Sequence, residues 1–297
     1  MSAVELPVPF GRCTAAPPRA REGAGTYLAL MGVTEIVLVR HGESAANVAA
    51  SRAEAAGAEI IDVPARDADV ELSPAGREQA AALGSWLRNL PGDRRPEAVW
   101  SSPYRRALDT ARTALRVADV EVPLRVDERL RDRDLGITDT LTTAGVQARH
   151  PEEAQRRQWL GKFYHRPPGG ESWADVALRV RSFLADLDRQ TRHERVLLTC
   201  HDVVVLVFRY VCEELDEARI LEIGRTDGVR NAAVTRLVRE GEGWRLADYN
   251  LDAHLEREHA PRTDEPSAVQ ENVDAGRDAV RGDGSPDGET SAVREVR

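Results

Sequence analysis

The chain has 297 residues, enough for one large domain or two modest ones. Its formal net charge of −9 at pH 7 argues against a general nucleic-acid or anionic-membrane binder, but leaves room for a local basic pocket. No apolar run has the length of a membrane span. The three cysteines form no Cys-x-x-Cys pair, so a reducing, cytoplasmic location is favoured over a disulfide framework or a zinc site of the usual spacing.

The two ends of the chain differ in composition from its middle. Residues 1–30 carry prolines, glycines and scattered arginines without hydrophobic periodicity, which predicts a flexible extension. Residues 258–297 are acidic and rich in glycine, and such a segment buries too little apolar surface to offset its ordering entropy. We therefore expect one folded domain, residues 31–257, followed by a disordered acidic tail.

The first predicted element is a buried strand at residues 36–39, which are apolar and mostly β-branched. Ser73 as N-cap and Pro74 at the first helical position predict a helix over 75–90. In chain order, the later patterns predict a strand at 98–101, helices at 104–117 and 152–165, a helix from the Ser172–Asp175 capping box to about residue 190, a strand at 195–199, an apolar helix after position 201, and strands at 233–238 and 244–249. This alternation predicts a three-layer α/β sandwich, with helices on both faces of a mostly parallel central sheet.

Cationic and imidazole side chains follow three of the predicted strands. Arg40 and His41 follow the first strand, Arg105 and Arg106 the second, and His201 the third. The carboxyl ends of parallel strands lie at one edge of a sheet, so we expect these groups to meet there. Two arginines and two histidines can neutralise and align a phosphoryl group without a metal ion.

Several of these residues belong to motifs that resemble those of the histidine phosphatase superfamily, also called phosphoglycerate mutase-like. The Arg40-His41-Gly42 segment, within residues 39–47, is similar to the family signature. The likeness continues through residues 72–80, 102–111 and 169–172 and through the strand that ends at His201. Five motifs in the family's order span roughly residues 35–250. The resemblance implies an α/β catalytic domain that needs neither a metal ion nor an organic cofactor.

The resemblance also assigns roles to individual residues. It makes His41 the nucleophile that forms a phosphohistidine, with Arg40 and Arg106 as phosphate ligands and His201 as a second histidine of the pocket. Arg106 is preferred to Arg105 because the family's arginine directly precedes an Ala-x-x-Thr-Ala segment. The residues expected to contact the substrate are Arg40, Asn47, Arg106, His201 and, beside the pocket, Glu43.

The expected proton donor is where the sequence departs from the family. Relatives usually carry a glutamate in a Leu-Arg-Glu-Arg segment, and Asp132 takes that place here. Aspartate is one methylene shorter, and a displacement of about an ångström can cost on the order of a hundredfold in rate. Glu128 and Asp134 are rival donors, and a surface carboxylate paired with Arg131 or Arg133 is the alternative interpretation of Asp132.

The motifs favour the phosphatase branch of the family. The mutases' Glu-Arg-His-Tyr-Gly segment is absent, whereas residues 161–165 match a Gly-(Lys/Arg)-Phe-(Phe/Tyr)-Tyr stretch of phosphatases. We therefore expect a phosphomonoester hydrolase acting through a phosphohistidine on a small phosphorylated metabolite. Mutase-type phosphoryl transfer and non-catalytic binding of a phosphorylated ligand are the alternatives.

The physiological substrate and the oligomeric state stay open at this stage. Specificity is expected from the loops at 48–70 and 137–170. Four aromatic side chains either wall the substrate pocket or pack in the core: Trp159, Phe163, Tyr164 and Trp173.

Overall fold

A computed structural model describes residues 32–63 and 66–263. The predicted N-terminal extension and most of the predicted acidic tail lie outside the described residues. Residues 261–263 contact the folded domain, because the Gln79 side-chain amide donates hydrogen bonds to the Pro261 carbonyl and the Thr263 hydroxyl, each at 2.9 Å.

A six-stranded sheet forms the centre of the domain, with strand order β3-β2-β4-β1-β5-β6. Strands β3, β2, β4 and β1 pair with one another in parallel. Strand β5 pairs with β1, and β6 with β5, in antiparallel orientation. The strand bounds are β1 Glu35–Arg40, β2 Ala98–Ser101, β3 Leu124–Val126, β4 Arg195–Cys200, β5 Val234–Glu240 and β6 Gly243–Leu251. This arrangement confirms the predicted, mostly parallel α/β sheet.

Helices cover both faces of the sheet because successive strand side chains point to opposite faces. On one face, Ile36 and Leu38 of β1 pack with α6 and α7. On the other face, Val37 and Val39 pack with α2 and α3. The helix bounds are α1 Ala45–Ala55, α2 Pro74–Asn89, α3 Arg105–Ala118, α4 Thr143–Arg149, α5 Pro151–Leu160, α6 Trp173–Gln190, α7 Asp202–Cys212, α8 Glu217–Thr226 and α9 Ala253–Arg257.

The predicted caps are present and fix where the helices begin. The Ser73 hydroxyl accepts a hydrogen bond from the Gly76 backbone N–H at 3.0 Å, with Pro74 at the first turn of α2. Ser172 and Asp175 form the predicted capping box of α6. The strands predicted at 36–39, 98–101 and 195–199 match β1, β2 and β4 within two residues at each end. The helices predicted over 75–90 and 104–117 match α2 and α3 equally closely.

Two parts of the element prediction need correction. The helix predicted over 152–165 ends at Leu160, because Gly161 adopts a left-handed conformation with φ 77° and breaks it. Strand β3 and helices α4 and α8 were not predicted; β3 has only three residues, and two of them are exposed, so it carries no hydrophobic pattern. None of the described helices combines the length and the apolar character needed to cross a membrane.

Candidate active site

Four parallel strands end at the same edge of the sheet, and the predicted site residues lie just beyond those ends. Arg40 ends β1 and His41 follows it, while His201 follows β4. Arg106 lies in the first turn of α3, after β2, and Asp132 lies in the loop that follows β3. The structure thus brings all five of the predicted catalytic residues to one place. One of them, Asp132, follows β3, a strand that the sequence did not predict.

The His41 imidazole is buried and held in a single orientation. Its Nδ1 lies 2.7 Å from the Gly42 carbonyl oxygen and donates to it, which places the ring's lone pair on Nε2. The Arg106 Nε–H donates to that Nε2 at 3.2 Å. Burial first, and then the charges of Arg106, His201 and Arg40, hold the pKa of His41 well below its usual value, so the ring is neutral at pH 7. A neutral imidazole with its lone pair on Nε2 can act as a nucleophile once the hydrogen bond from Arg106 to that nitrogen is released.

Arg106 is the most heavily bonded cation of the site. Its Nη1 donates to the Asp67 carbonyl at 2.7 Å and to Asp67 Oδ1 at 2.8 Å. Its Nη2 donates to Asp67 Oδ2 at 3.2 Å and to Asp132 Oδ2 at 2.8 Å. With the bond to His41, these five contacts use the five N–H donors of a guanidinium. The Asp67 carboxylate therefore occupies the guanidinium face on which a phosphate would bind. Arg105, by contrast, is half-exposed and pairs with Glu71.

Arg40 and His201 complete the ring of groups around His41. Arg40 is buried, and its Nη1 donates to the Val229 carbonyl at 2.6 Å. His201 is wholly buried; its ring packs edge-on against His41, with the centroids 5.1 Å apart, and its Nε2 lies 2.9 Å from the Ser102 hydroxyl oxygen. Burial lowers the pKa of His201, against the opposing charge of Asp132. His201 contacts His41 but does not line the surface of the cavity.

The Asp132 carboxylate lies between Arg106 and His201. Its Oδ2 is 2.8 Å from Arg106 Nη2 and 3.1 Å from His201 Nδ1, and its Oδ1 accepts the Arg133 backbone N–H at 2.8 Å. Burial would raise the pKa of this carboxyl, but the nearby His201 and Arg106 outweigh it and hold the pKa well below the ordinary value. Asp132 is therefore ionised. Its partners are Arg106 and His201, whereas Arg131, one of the two surface arginines considered as partners, pairs with Glu171 at 2.5 Å.

The two remaining predicted substrate contacts lie in different surroundings. Asn47 lines the cavity in front of His41, and its Oδ1 accepts hydrogen bonds from the Ser44 backbone N–H and hydroxyl, each at 2.8 Å. Glu43 does not line the cavity, because its carboxylate accepts the Ser73 hydroxyl at 2.5 Å and is directed toward the start of α2. The prediction that Glu43 contacts substrate is therefore not supported by its position.

The site also contains a possible set of metal ligands. One ligand atom from each of His41, Asp132 and His201 lies within 4.8 Å of the others. The Arg106 guanidinium donates to both His41 Nε2 and Asp132 Oδ2, so a full positive charge already occupies the space between two of these ligands. Like-charge repulsion disfavours a dication there, and the group is better suited to an anion.

A cavity of about 610 Å³ opens in front of His41 and is much larger than a phosphoryl group. Its wall includes residues from both loops predicted to set specificity, 48–70 and 137–170. The four aromatic side chains considered above do not line it: Phe163 and Trp173 are buried in the core, whereas Trp159 and Tyr164 are 83% and 53% exposed. Most of the described residues in the cavity wall are instead polar or charged by type.

Three residues of the site were not predicted from the sequence. Asp67 binds Arg106, Tyr104 packs its ring against both Arg106 and His201, and Ser102 hydrogen-bonds His201. Tyr104 and Ser102 lie in the segment after β2 that carries Arg106, so their proximity to Arg106 was a usable signal. Asp67 lies in the 48–70 segment that was predicted to set specificity, but outside the quoted motifs, and nothing in the sequence singled it out from the other carboxylates there.

The geometry agrees with the comparisons with known proteins. The chain belongs to the histidine phosphatase superfamily (branch 1), whose family model matches residues 36–252. The match includes every predicted catalytic residue.

Individual relatives match different shares of this chain and of their own length. Glucosyl-3-phosphoglycerate phosphatase of Mycobacterium tuberculosis is 32% identical over 248 residues, which cover 76% of this chain and 98% of that protein. A solved structure of mycobacterial glucosyl-3-phosphoglycerate phosphatase complexed with VO3 matches with a TM-score of 0.59 and 31% identity, covering 74% of this chain and all of that one. The 6-phosphofructo-2-kinase/fructose-2,6-bisphosphatase of Gallus gallus is 32% identical over 170 residues, 57% of this chain but only 31% of that protein. The chain thus spans about a third of the length of this larger relative.

Proposed function

We propose that this protein hydrolyses small phosphate monoesters through a phosphohistidine formed on His41. The observation that carries the proposal is the buried, neutral His41 ring, whose Nδ1–H is held by the Gly42 carbonyl while Nε2 meets the Arg106 guanidinium. Two guanidiniums beside a nucleophile with a fixed tautomer are what in-line attack on a phosphoryl group requires. Membership of the histidine phosphatase superfamily supports the same function.

Substrate binding begins with an exchange of partners at Arg106. The phosphoryl oxygens replace the Asp67 carboxylate on the guanidinium face, and Arg40 provides the second positive charge. In this exchange Asp67 leaves the position of the phosphate, and the Arg106 Nε–H turns from His41 Nε2 to a phosphoryl oxygen, so that the Nε2 lone pair faces phosphorus.

The chemical step then needs an acid on the leaving-group side. His41 Nε2 attacks phosphorus, the ester P–O bond breaks, and Asp132 protonates the departing alcohol oxygen. Asp132 is ionised before substrate binds, but a bound phosphate dianion takes hydrogen bonds from Arg106 and adds negative charge beside the carboxyl. Both changes raise the pKa of Asp132, so it takes up a proton as substrate binds. In the second step, Asp132 accepts a proton from the water that hydrolyses the phosphohistidine.

Release of inorganic phosphate from p-nitrophenyl phosphate and from a panel of small phosphomonoesters tests the proposal. We expect turnover by the wild type and none above background by His41→Ala. His193→Ala is the matched control, because that histidine lies outside the cavity and should leave the rate unchanged. Equal rates for wild type and His41→Ala would show that phosphate release does not depend on His41. Binding of phosphate without turnover would favour a protein that binds a phosphorylated ligand and does not catalyse its hydrolysis.

A test with 3-phosphoglycerate and its bisphosphate activator addresses the mutase alternative. We expect phosphate release to outpace isomerisation, since the Glu-Arg-His-Tyr-Gly segment of mutases is missing from this sequence. Faster isomerisation would overturn the hydrolase proposal.

We also propose that the protein acts in the cytoplasm, without nucleic acid or a membrane as a partner. Two of the three cysteines, Cys200 and Cys212, are buried as free thiols, which is typical of a reducing compartment. The net charge of −9 supports a small anionic substrate in a local pocket over a polyanionic partner.

A further inference from the structure

A short segment after helix α9 reaches two buried amides that hold the nucleophile loop, residues 41–43. We call this segment, residues 261–263, the strap. The Thr263 hydroxyl of the strap accepts a hydrogen bond from Gln79 Nε2 at 2.9 Å and donates one to Asn231 Oδ1 at 3.0 Å. Gln79 and Asn231 are 0% and 1% exposed, so their amides depend on partners within the protein.

The other ends of these two amides bond to the backbone of the nucleophile loop. Gln79 Oε1 accepts the Glu43 N–H at 2.8 Å, and Asn231 Nδ2 donates to the His41 carbonyl at 3.1 Å. Four hydrogen bonds therefore form a chain that leaves the loop and returns to it, with every donor pointing the same way round: Glu43, Gln79, Thr263, Asn231 and His41. Hydrogen bonds in such a chain polarise and strengthen one another.

The chain acts on the peptide group between Gly42 and Glu43. The N–H of this group bonds to Gln79, and its carbonyl, that of Gly42, accepts the His41 Nδ1–H at 2.7 Å. Because a trans peptide is planar, its N–H and its carbonyl point in opposite directions. Fixing the N–H therefore also fixes the carbonyl that places the lone pair of His41 on Nε2.

The strap determines which end of the Gln79 amide faces the nucleophile loop. Both hydrogens of Nε2 are used by the strap, one by the Pro261 carbonyl and one by the Thr263 hydroxyl, each at 2.9 Å. The oxygen end of the amide therefore faces the Glu43 N–H, which needs an acceptor. Without the Thr263 hydroxyl, the Asn231 amide oxygen would also lie buried without its donor.

Contacts of α9 and of the strap itself hold the strap on the domain. Leu255 of α9 is 1% exposed and packs with Ala82 of α2. Arg262 Nη2 donates to Asp252 Oδ1 at 3.1 Å, at the start of α9. The strap is therefore fixed in place, although it lies outside residues 36–252, which the family model matches.

We propose that Thr263 is a positioning residue for phosphoryl transfer. By closing the hydrogen-bond chain, its hydroxyl holds the Gly42–Glu43 peptide group and, through it, the reactive tautomer and orientation of the His41 ring. A hydroxyl can accept from one amide and donate to another through a single atom, so serine can replace threonine here and valine cannot. This role rests on the proposed function, because it concerns the nucleophile of that reaction.

Two substitutions at position 263 test the role of the hydroxyl, since Thr263→Val removes it and Thr263→Ser keeps it. We expect kcat for p-nitrophenyl phosphate to fall about fivefold in Thr263→Val, the effect of one lost hydrogen bond, and to stay at the wild-type value in Thr263→Ser. The Kd of inorganic phosphate should not change in either variant, because the chain bonds to the backbone of the loop and not to the phosphate-binding guanidinium groups.

An unchanged kcat in Thr263→Val, or an equal loss in Thr263→Ser, would overturn the proposal. A loss of phosphate affinity as large as the loss of kcat would overturn it as well, because a general disturbance of the fold gives that result. Thr226→Val is the matched control, since the Thr226 hydroxyl donates to the Glu222 carbonyl within α8, and it should change neither quantity.

Hydrogen–deuterium exchange separates a failure of this inference from a failure of the proposed function. The Glu43 N–H bonds to Gln79 and not to Thr263, so its exchange reports whether the chain transmits the loss of the hydroxyl. We expect the peptide that contains residues 41–44 to exchange about fivefold faster in Thr263→Val and at the wild-type rate in Thr263→Ser.

Faster exchange in Thr263→Val alone would support the inference even if the wild type hydrolysed no ester. If the wild type is active and Thr263→Val changes neither exchange nor kcat, the hydrolase proposal stands and the role of Thr263 is wrong. Unchanged exchange in a protein without activity would overturn both.

Discussion

At the scale of single residues, the contact between Asp67 and Arg106 is the one that the proposed mechanism requires the substrate to displace. The carboxylate and carbonyl of Asp67 take three of the five hydrogen bonds of the guanidinium, and Asp67 is itself partly exposed at 39%. A phosphate competes for the same N–H groups with a larger charge and is therefore able to displace it.

Asp67→Asn should strengthen the binding of phosphate. The amide is a weaker acceptor and lacks the negative charge, so displacing it from Arg106 costs less, and we expect about a tenfold lower Kd for inorganic phosphate. Asp69→Asn in the same turn is the control, because Asp69 pairs with exposed Arg66 instead. Calorimetric titration measures both variants. Unchanged or weaker binding by Asp67→Asn would show that Asp67 does not compete with the ligand.

The lowered pKa of His41 gives a pH-dependent signature. Burial and the neighbouring arginines disfavour the charged ring, so the imidazole stays neutral as the pH falls through 6.5 and protonates only well below it. In an NMR titration, the His41 ring resonance, assigned by its absence from His41→Ala, should not shift between pH 6 and 8. A midpoint at or above 6.5 would contradict the argument for a neutral nucleophile.

The acid role of Asp132 predicts dependence on the leaving group. Asp132→Asn should lower kcat by about 10²–10⁴-fold for alkyl phosphates, whose alkoxides need a proton. The loss should be much smaller for p-nitrophenyl phosphate, because its phenolate leaves without one. The measurement is kcat for the two kinds of ester. Equal losses for both would assign Asp132 a role in holding Arg106 and His201 only.

At the scale of elements, the nucleophile loop is fixed by close contact with helix α2. A Cβ atom added at Gly76 would lie 1.9 Å from the Glu43 carbonyl oxygen, and one at Gly42 would lie 2.5 Å from the Gly76 carbonyl oxygen. The two backbones therefore touch at a pair of glycines. This contact, together with the Ser73–Glu43 hydrogen bond, sets the position of the turn that carries His41.

Gly76→Ala should disturb both stability and activity. The added methyl group has no space, so the loop after β1 must shift, and we expect a loss of about 1–3 kcal/mol in the free energy of unfolding together with reduced kcat. Gly92→Ala, where a Cβ meets nothing within 4 Å, is the control and should change stability by less than about 0.5 kcal/mol. Denaturant unfolding and phosphate release measure the two effects. A fully stable and active Gly76→Ala protein would show that the glycine contact does not position the nucleophile.

At the scale of the whole molecule, the parts with strong periodicity could be predicted from the sequence. Strands β1, β2 and β4 are short apolar runs that end in chemically distinctive residues, and the capping serines mark the helix starts. Because parallel strands present their carboxyl ends at one edge, the meeting of Arg40, His41, Arg106 and His201 followed from topology.

The rest of the molecule depends on contacts distant in sequence. Asp67 reaches Arg106 from 39 residues away, and His165 reaches Glu153 from 12 residues away. Glu43 shows the same dependence: its place in the motif suggested a substrate contact, but its carboxylate accepts the hydroxyl of Ser73 at the start of α2. Tertiary packing decides which polar side chains face the ligand.

The most direct test of the central claim is detection of the covalent intermediate. The full-length protein is mixed with an excess of a phosphomonoester, quenched in alkali during turnover, and analysed by mass spectrometry for phosphorylation of the peptide that contains residue 41. We predict a phosphohistidine at His41 in the wild type and none in His41→Ala. An active wild type that carries no phosphate on His41 at any time during turnover would contradict the account.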